Sequence, residues 1–175
     1  MPIRTFQNKT PRIDPSAYID EMAVVIGDVV IGADTSVWPM VSIRGDSNYI
    51  RIGARTSIQD GTVIHVTSPF PEAPAGVPAI IGDDITVGHR CMLHACTIEN
   101  GCLIGMGSTV LDGAILRAGL LLGAGSLVTE GKELEGGWLW MGRPAKKIRP
   151  LTPAEKTMMV HSAEHYVELK NGYLK

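Results

Sequence analysis

A six-residue spacing of aliphatic residues is the feature that most restricts how this chain can fold. Glycine often follows the aliphatic residue, and a small or β-branched residue often lies four positions after it. A period of six with two inward positions and a bend describes a short strand followed by a turn. The two unbroken series are Ile19, Val25, Ile31, Val37, Ile43 and Ile98, Ile104, Val110, Leu116, Leu122, Val128; Ile52, Ile58, Ile64 and Ile81, Val87, Leu93 continue the same step between them.

Strands this short cannot bury a core alone, so each must pair with copies above and below it in a solenoid. The pattern resembles the hexapeptide-repeat family, whose fold is a left-handed parallel β-helix with three hexads per coil. The resemblance implies the handedness, since the general rule for parallel crossovers gives the opposite hand. The seventeen hexads counted in the sequence predict an all-β, single-stranded left-handed parallel β-helix of nearly six coils with a C-terminal α-helix.

Three breaks interrupt the six-residue spacing. Residues 43–52 contain three extra residues, residues 64–81 contain eleven, and residues 93–98 lack one. The longer insertion contains four prolines, which cannot continue a strand ladder. We therefore expect it to leave the solenoid as a loop, and we expect one corner to absorb the deletion.

The C-terminal segment predicts a helix. Thr152 suits the N-cap position, Pro153 follows it, and Glu155 completes a capping box. We predict one domain over residues 1–175, with the β-helix at about 12–131, a connector at 132–151 and the C-terminal helix at 152–171.

Composition excludes some partners. The formal net charge of -2 provides no basic surface for nucleic acid, and no segment reaches the apolar length of a membrane span. We therefore expect no nucleic acid or membrane partner and a cytoplasmic location. The three cysteines are predicted to be reduced, with Cys91 and Cys102 in the core and Cys96 beyond the inward positions.

Stacking the hexads brings distant histidines together. The residue that follows the aliphatic position on one face is, in successive coils, Arg44, His65 and His94. Rungs are roughly 4.8 Å apart, so the two histidines can approach a common metal. Asp60 and His89 form a second column on the preceding face, and a trimer would bring His89 to the histidine pair of a neighbouring chain.

At these residues the chain resembles the gamma-class carbonic anhydrases and their bacterial homologues. The matching stretches are "RGD" at 44–46, "QDGTVIH" at 59–65 and "VGHRCMLHACTI" at 87–98. The resemblance implies a homotrimer with zinc at its interfaces, iron or cobalt being alternatives, and reversible hydration of carbon dioxide to bicarbonate. It also implies roles for single residues: His65, His89 and His94 as metal ligands, Gln59 as hydrogen-bond partner of the metal-bound hydroxide, and Arg44, Asp46 and Asp60 as an ion-paired interface cluster that can bind bicarbonate.

The chain departs from the active members of that family at three places. Ser47 and Ser57 stand where those members carry glutamate and asparagine, and the acidic loop is reduced to an insertion with the single acid Glu72. These departures predict slow or differently routed proton export.

Other function classes remain open. "GRPAKKIRP" at 142–150 resembles the segment that ends the β-helix of hexapeptide acyltransferases, which use acyl-coenzyme A donors, although those enzymes usually need one histidine. A noncatalytic metal-binding homologue is the third class. "HSAEH" at 161–165 matches a metalloprotease pattern, but a short terminal helix lacks the catalytic domain that such enzymes need.

Overall fold

The structure is a computed structural model that describes residues 2–174, so Met1 and Lys175 of the predicted domain lie outside the described residues. It confirms the predicted fold class, a parallel β-solenoid with one C-terminal helix. The strands form three faces, and most strands contain only two or three residues.

Each face is a ladder of parallel strands, and two long strands bend from face one onto face two. Face one contains β1 (Ile3–Arg4), the first half of β4 (Val24–Ile31), the first half of β6 (Ser42–Ile52), β8 (Val63–His65), β11 (Met92–His94), β14 (Thr109–Val110) and β17 (Leu127–Val128). Face two contains β2 (Arg12–Ile13), the second halves of β4 and β6, β9 (Ala79–Ile81), β12 (Thr97–Ile98), β15 (Ile115–Leu116) and β18 (Glu133–Leu134). Face three contains β3 (Tyr18–Ile19), β5 (Ser36–Val37), β7 (Ser57–Ile58), β10 (Thr86–Val87), β13 (Leu103–Ile104), β16 (Leu121–Leu122) and β19 (Trp138–Gly142).

The hexad aliphatic residues form the core, as the spacing predicts. Ile43 pairs with Ile64 and Ile64 with Leu93 in successive rungs, and all three are fully buried. Burying such a side chain contributes about 1.5–3 kcal/mol, so the stack of identical inward positions stabilises the ladder along its whole length. The described residues give seven rungs per face, because the segments around Ile3–Ile13 and Leu134–Trp140 extend the regular hexads at both ends.

The C-terminal elements lie on face three. β20 (Ala145–Pro150) pairs antiparallel with β19, so the predicted connector contains β18, β19 and β20. Helix α1 (Pro153–Tyr173) begins after Thr152, and the predicted capping box with Glu155 is present. The helix packs against β3, β5, β7 and β10 and continues two residues past the predicted end.

The breaks in the hexad spacing all fall at the corner between faces one and two. The extra residues of 43–52 extend β6 around the corner, and the proline-rich insertion leaves as a loop closed by bridges between Thr67 and Val77 and between Phe70 and Ala73. The deletion shortens the corner between His94 and Cys96 to the single residue Ala95, whose φ of 48° is left-handed like that of Gly113 in the next rung. The loop prediction is thus confirmed.

The position predicted for Cys96 is wrong. Cys96 is only 1% exposed and belongs to the core, together with Cys91 and Cys102. β12 keeps its register with β15, so Cys96 occupies the inward position that Ala114 holds one rung further along, whereas counting forward from Leu93 across the deletion places that position one residue later. Burial raises the pKa of the Cys96 thiol to about 12, so the thiol stays protonated at neutral pH.

Candidate metal centre

The structure brings His65 and His94 together on face one. β8 and β11 pair in parallel with His65 opposite His94, so the two side chains leave adjacent rungs in the same direction. Nδ1 of His65 lies 3.2 Å from Nε2 of His94, and the ring centroids are 5.2 Å apart. The predicted column of His65 and His94 therefore forms within a single chain.

The separation of the two imidazole nitrogens fits a shared metal ion. Two nitrogen ligands at about 2.0–2.1 Å from a tetrahedral zinc lie about 3.3 Å from each other. The 3.2 Å separation between His65 and His94 is close to that value. The pair can thus supply two of the ligands of a metal site.

A carboxylate faces the outer nitrogen of each histidine in this pair. Asp46 Oδ1 lies 3.1 Å from Nε2 of His65, and Asp112 Oδ1 lies 2.6 Å from Nδ1 of His94. Arg44 Nη1 lies 2.5 Å from Asp46 Oδ2. Burial raises the pKa of Asp46, but the hydrogen bonds from Arg44 and His65 outweigh it and hold the pKa below its ordinary value. Asp46 is therefore a carboxylate at neutral pH.

His89 lies at a different corner, between face three and face one. Nδ1 of His89 lies 3.0 Å from Oδ2 of Asp60, one rung away, and both side chains are about half exposed. Within residues 2–174 of a single chain, no three histidine, cysteine, aspartate or glutamate residues come together as a metal-binding group. Asp60 also does not join Arg44 and Asp46 in one chain, because the two columns are on different faces.

Gln59 lies beside Asp60 and beneath the C-terminal helix. Its side chain is buried. Burial and the negative charge of Asp60 raise the pKa of Tyr166 on α1 above its ordinary value, against the opposing effect of the Gln59 amide. Ser57, one of the departures from the family pattern, accepts a hydrogen bond of 3.0 Å from the indole of Trp38.

The remaining candidate residues lie apart from the histidine pair. Glu72 is exposed in the turn of the proline-rich loop between Phe70 and Ala73. His161 and His165 lie on α1 with ring centroids 6.2 Å apart, and the described residues form no metal-binding group there. No helix in the described part of the chain is both long and apolar enough to cross a membrane.

Sequence reasoning missed Asp112 and Thr67. Asp112 contacts His94, and its second oxygen accepts a hydrogen bond from the Thr67 hydroxyl at the start of the proline-rich loop. Although burial raises the pKa of Asp112, the hydrogen bonds from Thr67 and His94 hold it below its ordinary value. The sequence does contain this acid in the rung after His94. Asp112 lies two positions after the aliphatic residue of its rung, whereas His94 lies one position after its own, so the two do not fall in one column.

Fold and site together define a class of protein: a hexapeptide-repeat β-solenoid with a two-histidine half-site on one face and a third histidine at another corner. No family model matches the chain. Among curated proteins, the chain is 50% identical over 172 residues to Protein YrdA of Escherichia coli, covering 98% of this chain and 94% of that protein. It is 44% identical over 173 residues to the carbonic anhydrase of Geobacillus kaustophilus, covering 99% of this chain and 91% of the relative.

A solved structure agrees with these relatives. The hexapeptide transferase family protein of Anaplasma phagocytophilum superimposes with a TM-score of 0.91 at 42% identity, covering 98% of this chain and 97% of that chain. The chain belongs to the gamma carbonic anhydrase family of hexapeptide-repeat proteins.

Proposed function

We propose that the protein is a metal-dependent lyase that hydrates carbon dioxide reversibly to bicarbonate, as a homotrimer with a metal ion at each subunit interface. The observation that carries the proposal is the 3.2 Å separation between His65 and His94, with His89 on another face. His65 and His94 of one chain and His89 of its neighbour would hold the ion. Zinc suits three neutral imidazoles, and iron and cobalt are the alternatives.

The surface around His89 supports association of chains. Asp60, His89 and Met106 occupy equivalent positions at one corner in successive rungs, and Met40 lies at that corner in the rung before Asp60, one position further along its hexad. The two methionines are 63% and 57% exposed. Exposed apolar side chains on both sides of a polar pair are typical of a protein contact surface.

The chain's own residues have distinct parts in this proposal. When bound, zinc lowers the pKa of water towards 7 and so supplies hydroxide for attack on carbon dioxide. Gln59, next to the column of His89, offers a neutral amide that can orient an oxygen ligand without adding charge. Arg44, held by Asp46, presents a guanidinium whose parallel N–H groups match a planar oxyanion such as bicarbonate.

The departures from the family pattern bear on the rate. Ser57 is engaged with Trp38, and Ser47 carries no ionisable group, so neither can transfer a proton as a carboxylate would. Glu72 is the one acid of the proline-rich loop. We therefore propose that proton export limits turnover. We also propose a cytoplasmic location, because buried, unpaired cysteines suit a reducing compartment.

Metal content and molecular mass in solution test the assembly. We expect a trimer by multi-angle light scattering and one metal ion per chain in protein purified without oxygen. His89→Ala should lose the metal, whereas the matched control His161→Ala on α1 should keep it. A monomeric wild-type protein, or a full metal content in His89→Ala, would refute the shared site.

Stopped-flow hydration on the same sample tests the activity. We expect measurable hydration that Gln59→Ala lowers while the metal content stays unchanged. Unchanged kinetics in Gln59→Ala would contradict the part assigned to that amide. A metal-loaded trimer without hydration activity would instead favour the noncatalytic metal-binding homologue.

An acyltransferase is the second candidate, favoured by the likeness to the hexapeptide transferase family protein. Against it, two paired histidines and a third one exceed the one histidine base that acyl transfer usually needs. Binding of coenzyme A by calorimetry distinguishes the candidates. Micromolar binding to a trimer that contains no metal would favour acyl transfer.

A further inference from the structure

We propose that Asp112 is a positioning residue of the metal centre, which holds His94 in the one tautomer that presents Nε2 to the metal. The inference rests on the proposed metal site. This role of Asp112 is assigned from its position in the structure, because no sequence motif includes it.

The contact between Asp112 and His94 is short and well supported by the backbone. Asp112 Oδ1 lies 2.6 Å from Nδ1 of His94. The backbone N–H of Gly113 donates to the carbonyl of Ala95 at 2.7 Å, which fixes the Asp112 corner directly over the His94 corner. The carboxylate therefore reaches the imidazole from the next rung without spanning a gap.

The direction of this hydrogen bond decides which nitrogen is available. A carboxylate only accepts, so Nδ1 of His94 must donate, and in the neutral imidazole that binds a metal this leaves the lone pair on Nε2. A carboxylate behind a metal-binding histidine fixes the tautomer and ring orientation in this way and strengthens metal binding. Nε2 is the atom that faces His65 at 3.2 Å.

The other two histidines show the same arrangement. Asp46 faces Nε2 of His65, and Asp60 faces Nδ1 of His89. When both rings are neutral and each outer nitrogen carries its proton, the inner nitrogens of His65 and His94 present two lone pairs to each other. These lone pairs repel unless a cation lies between them, so the carboxylates prepare the pair for a positive ion.

Thr67 fixes Asp112 in turn. Its hydroxyl donates to Asp112 Oδ2, and its backbone carbonyl accepts a hydrogen bond of 3.3 Å from the Asn48 amide. The same amide donates to the carbonyl of Ala75 at 2.9 Å. The two insertions of the solenoid thus hold the carboxylate that orients His94.

Chelator competition on the purified protein tests the proposal. We expect Asp112→Ala to bind zinc about 10- to 100-fold more weakly than wild type, and Thr67→Val to show a smaller loss. The matched control is Glu130→Ala, which removes the acid at the equivalent position one rung further and should leave the affinity unchanged. An affinity of Asp112→Ala within twofold of wild type, with the trimer intact, overturns the proposal.

A second measurement separates positioning from general damage to the fold. Nitrogen-15 shifts of His94 in metal-free protein should report protonated Nδ1 in wild type and Glu130→Ala, and a tautomer mixture in Asp112→Ala. A mixture already present in wild type overturns the proposal. A wild-type protein without zinc affinity refutes the proposed function, while these shifts still decide whether Asp112 positions His94.

Discussion

The anchor of α1 on the solenoid provides a sharp stability prediction. Lys170 is the most deeply buried charged residue among those described, and its Nζ lies 2.8 Å from Asp34 Oδ1 and 2.7 Å from Asn171 Oδ1. Asp34 adopts a φ of 56°, a left-handed conformation that asparagine tolerates more readily than alanine. Asp34→Asn therefore removes the negative charge without backbone strain.

The expected cost follows from the unequal burial of the two partners. Removing one partner of a fully buried pair costs about 3–5 kcal/mol, because a buried charge loses its counterion. Here the Lys170 side chain is 2% exposed but Asp34 is 42% exposed, and Asn171 remains as an acceptor. Water can reach the Asp34 side, so we expect about 2 kcal/mol. For a chain of this size that lowers the Tm by roughly 4–8 °C.

Calorimetry at one fixed protein concentration measures this change, since association makes the Tm depend on concentration. Asp84→Asn is the matched control, because Asp84 occupies the same corner with φ 57° but pairs with the exposed Arg55. That variant should lose about 0–1 kcal/mol. Lys170→Met, which removes the charge and keeps the length, should be nearly neutral. If Asp34→Asn is no more destabilised than Asp84→Asn, the reasoning about burial is wrong.

Three further predictions concern the helix cap, the corner and the metal. Arg149 and the Thr152 cap lower the pKa of Glu155 to about 2, so the stabilisation by Glu155 is complete above its unfolded-state pKa near 4.5 and is lost as the pH falls towards 2. The Tm difference between wild type and Glu155→Gln should therefore shrink over that range, and a constant difference would contradict the assignment. Cys96→Ser should lower the free energy of unfolding in urea by about 1–3 kcal/mol, because it buries a hydroxyl in the core. An unchanged free energy would indicate that this side chain is exposed to solvent. Removing the metal with a chelator should lower the Tm of wild type, because the protein loses roughly 2.7 kcal/mol of stabilisation for a metal at 100 times its Kd. An equal shift in His89→Ala would argue against the shared site.

Local and periodic features of the fold could be predicted from the sequence. The hexads predict that Ile64 and Leu93 face the core, because every rung has an aliphatic residue at the same position and one irregular rung does not obscure the pattern. The Thr152 cap is equally local, since its partner lies three residues away. For the same reason His65 and His94 could be paired by counting residues.

Features that depend on how a corner bends could not be predicted. Cys96 faces inward because β12 keeps its register with β15, and the sequence does not show which side of the corner absorbs the deletion. Asp112 reaches His94 across a rung although the two occupy different positions in their hexads. Tyr166 meets Gln59 because α1 lies on face three, which its own sequence does not specify.

The breaks in the repeat nevertheless contain information about the site. The three-residue insertion follows Arg44, the eleven-residue insertion follows His65, and the deletion follows His94, so all three alter one corner in successive rungs. A regular solenoid repeats every corner, so a change maintained over three adjacent rungs is the arrangement expected where function outweighs regular packing. Asp112 lies at that corner in the next rung, where the regular spacing resumes. Interruptions that share a corner thus locate a site in a solenoid sequence even when its ligands are far apart along the chain, and the regular rung beside them is where a supporting residue should be sought.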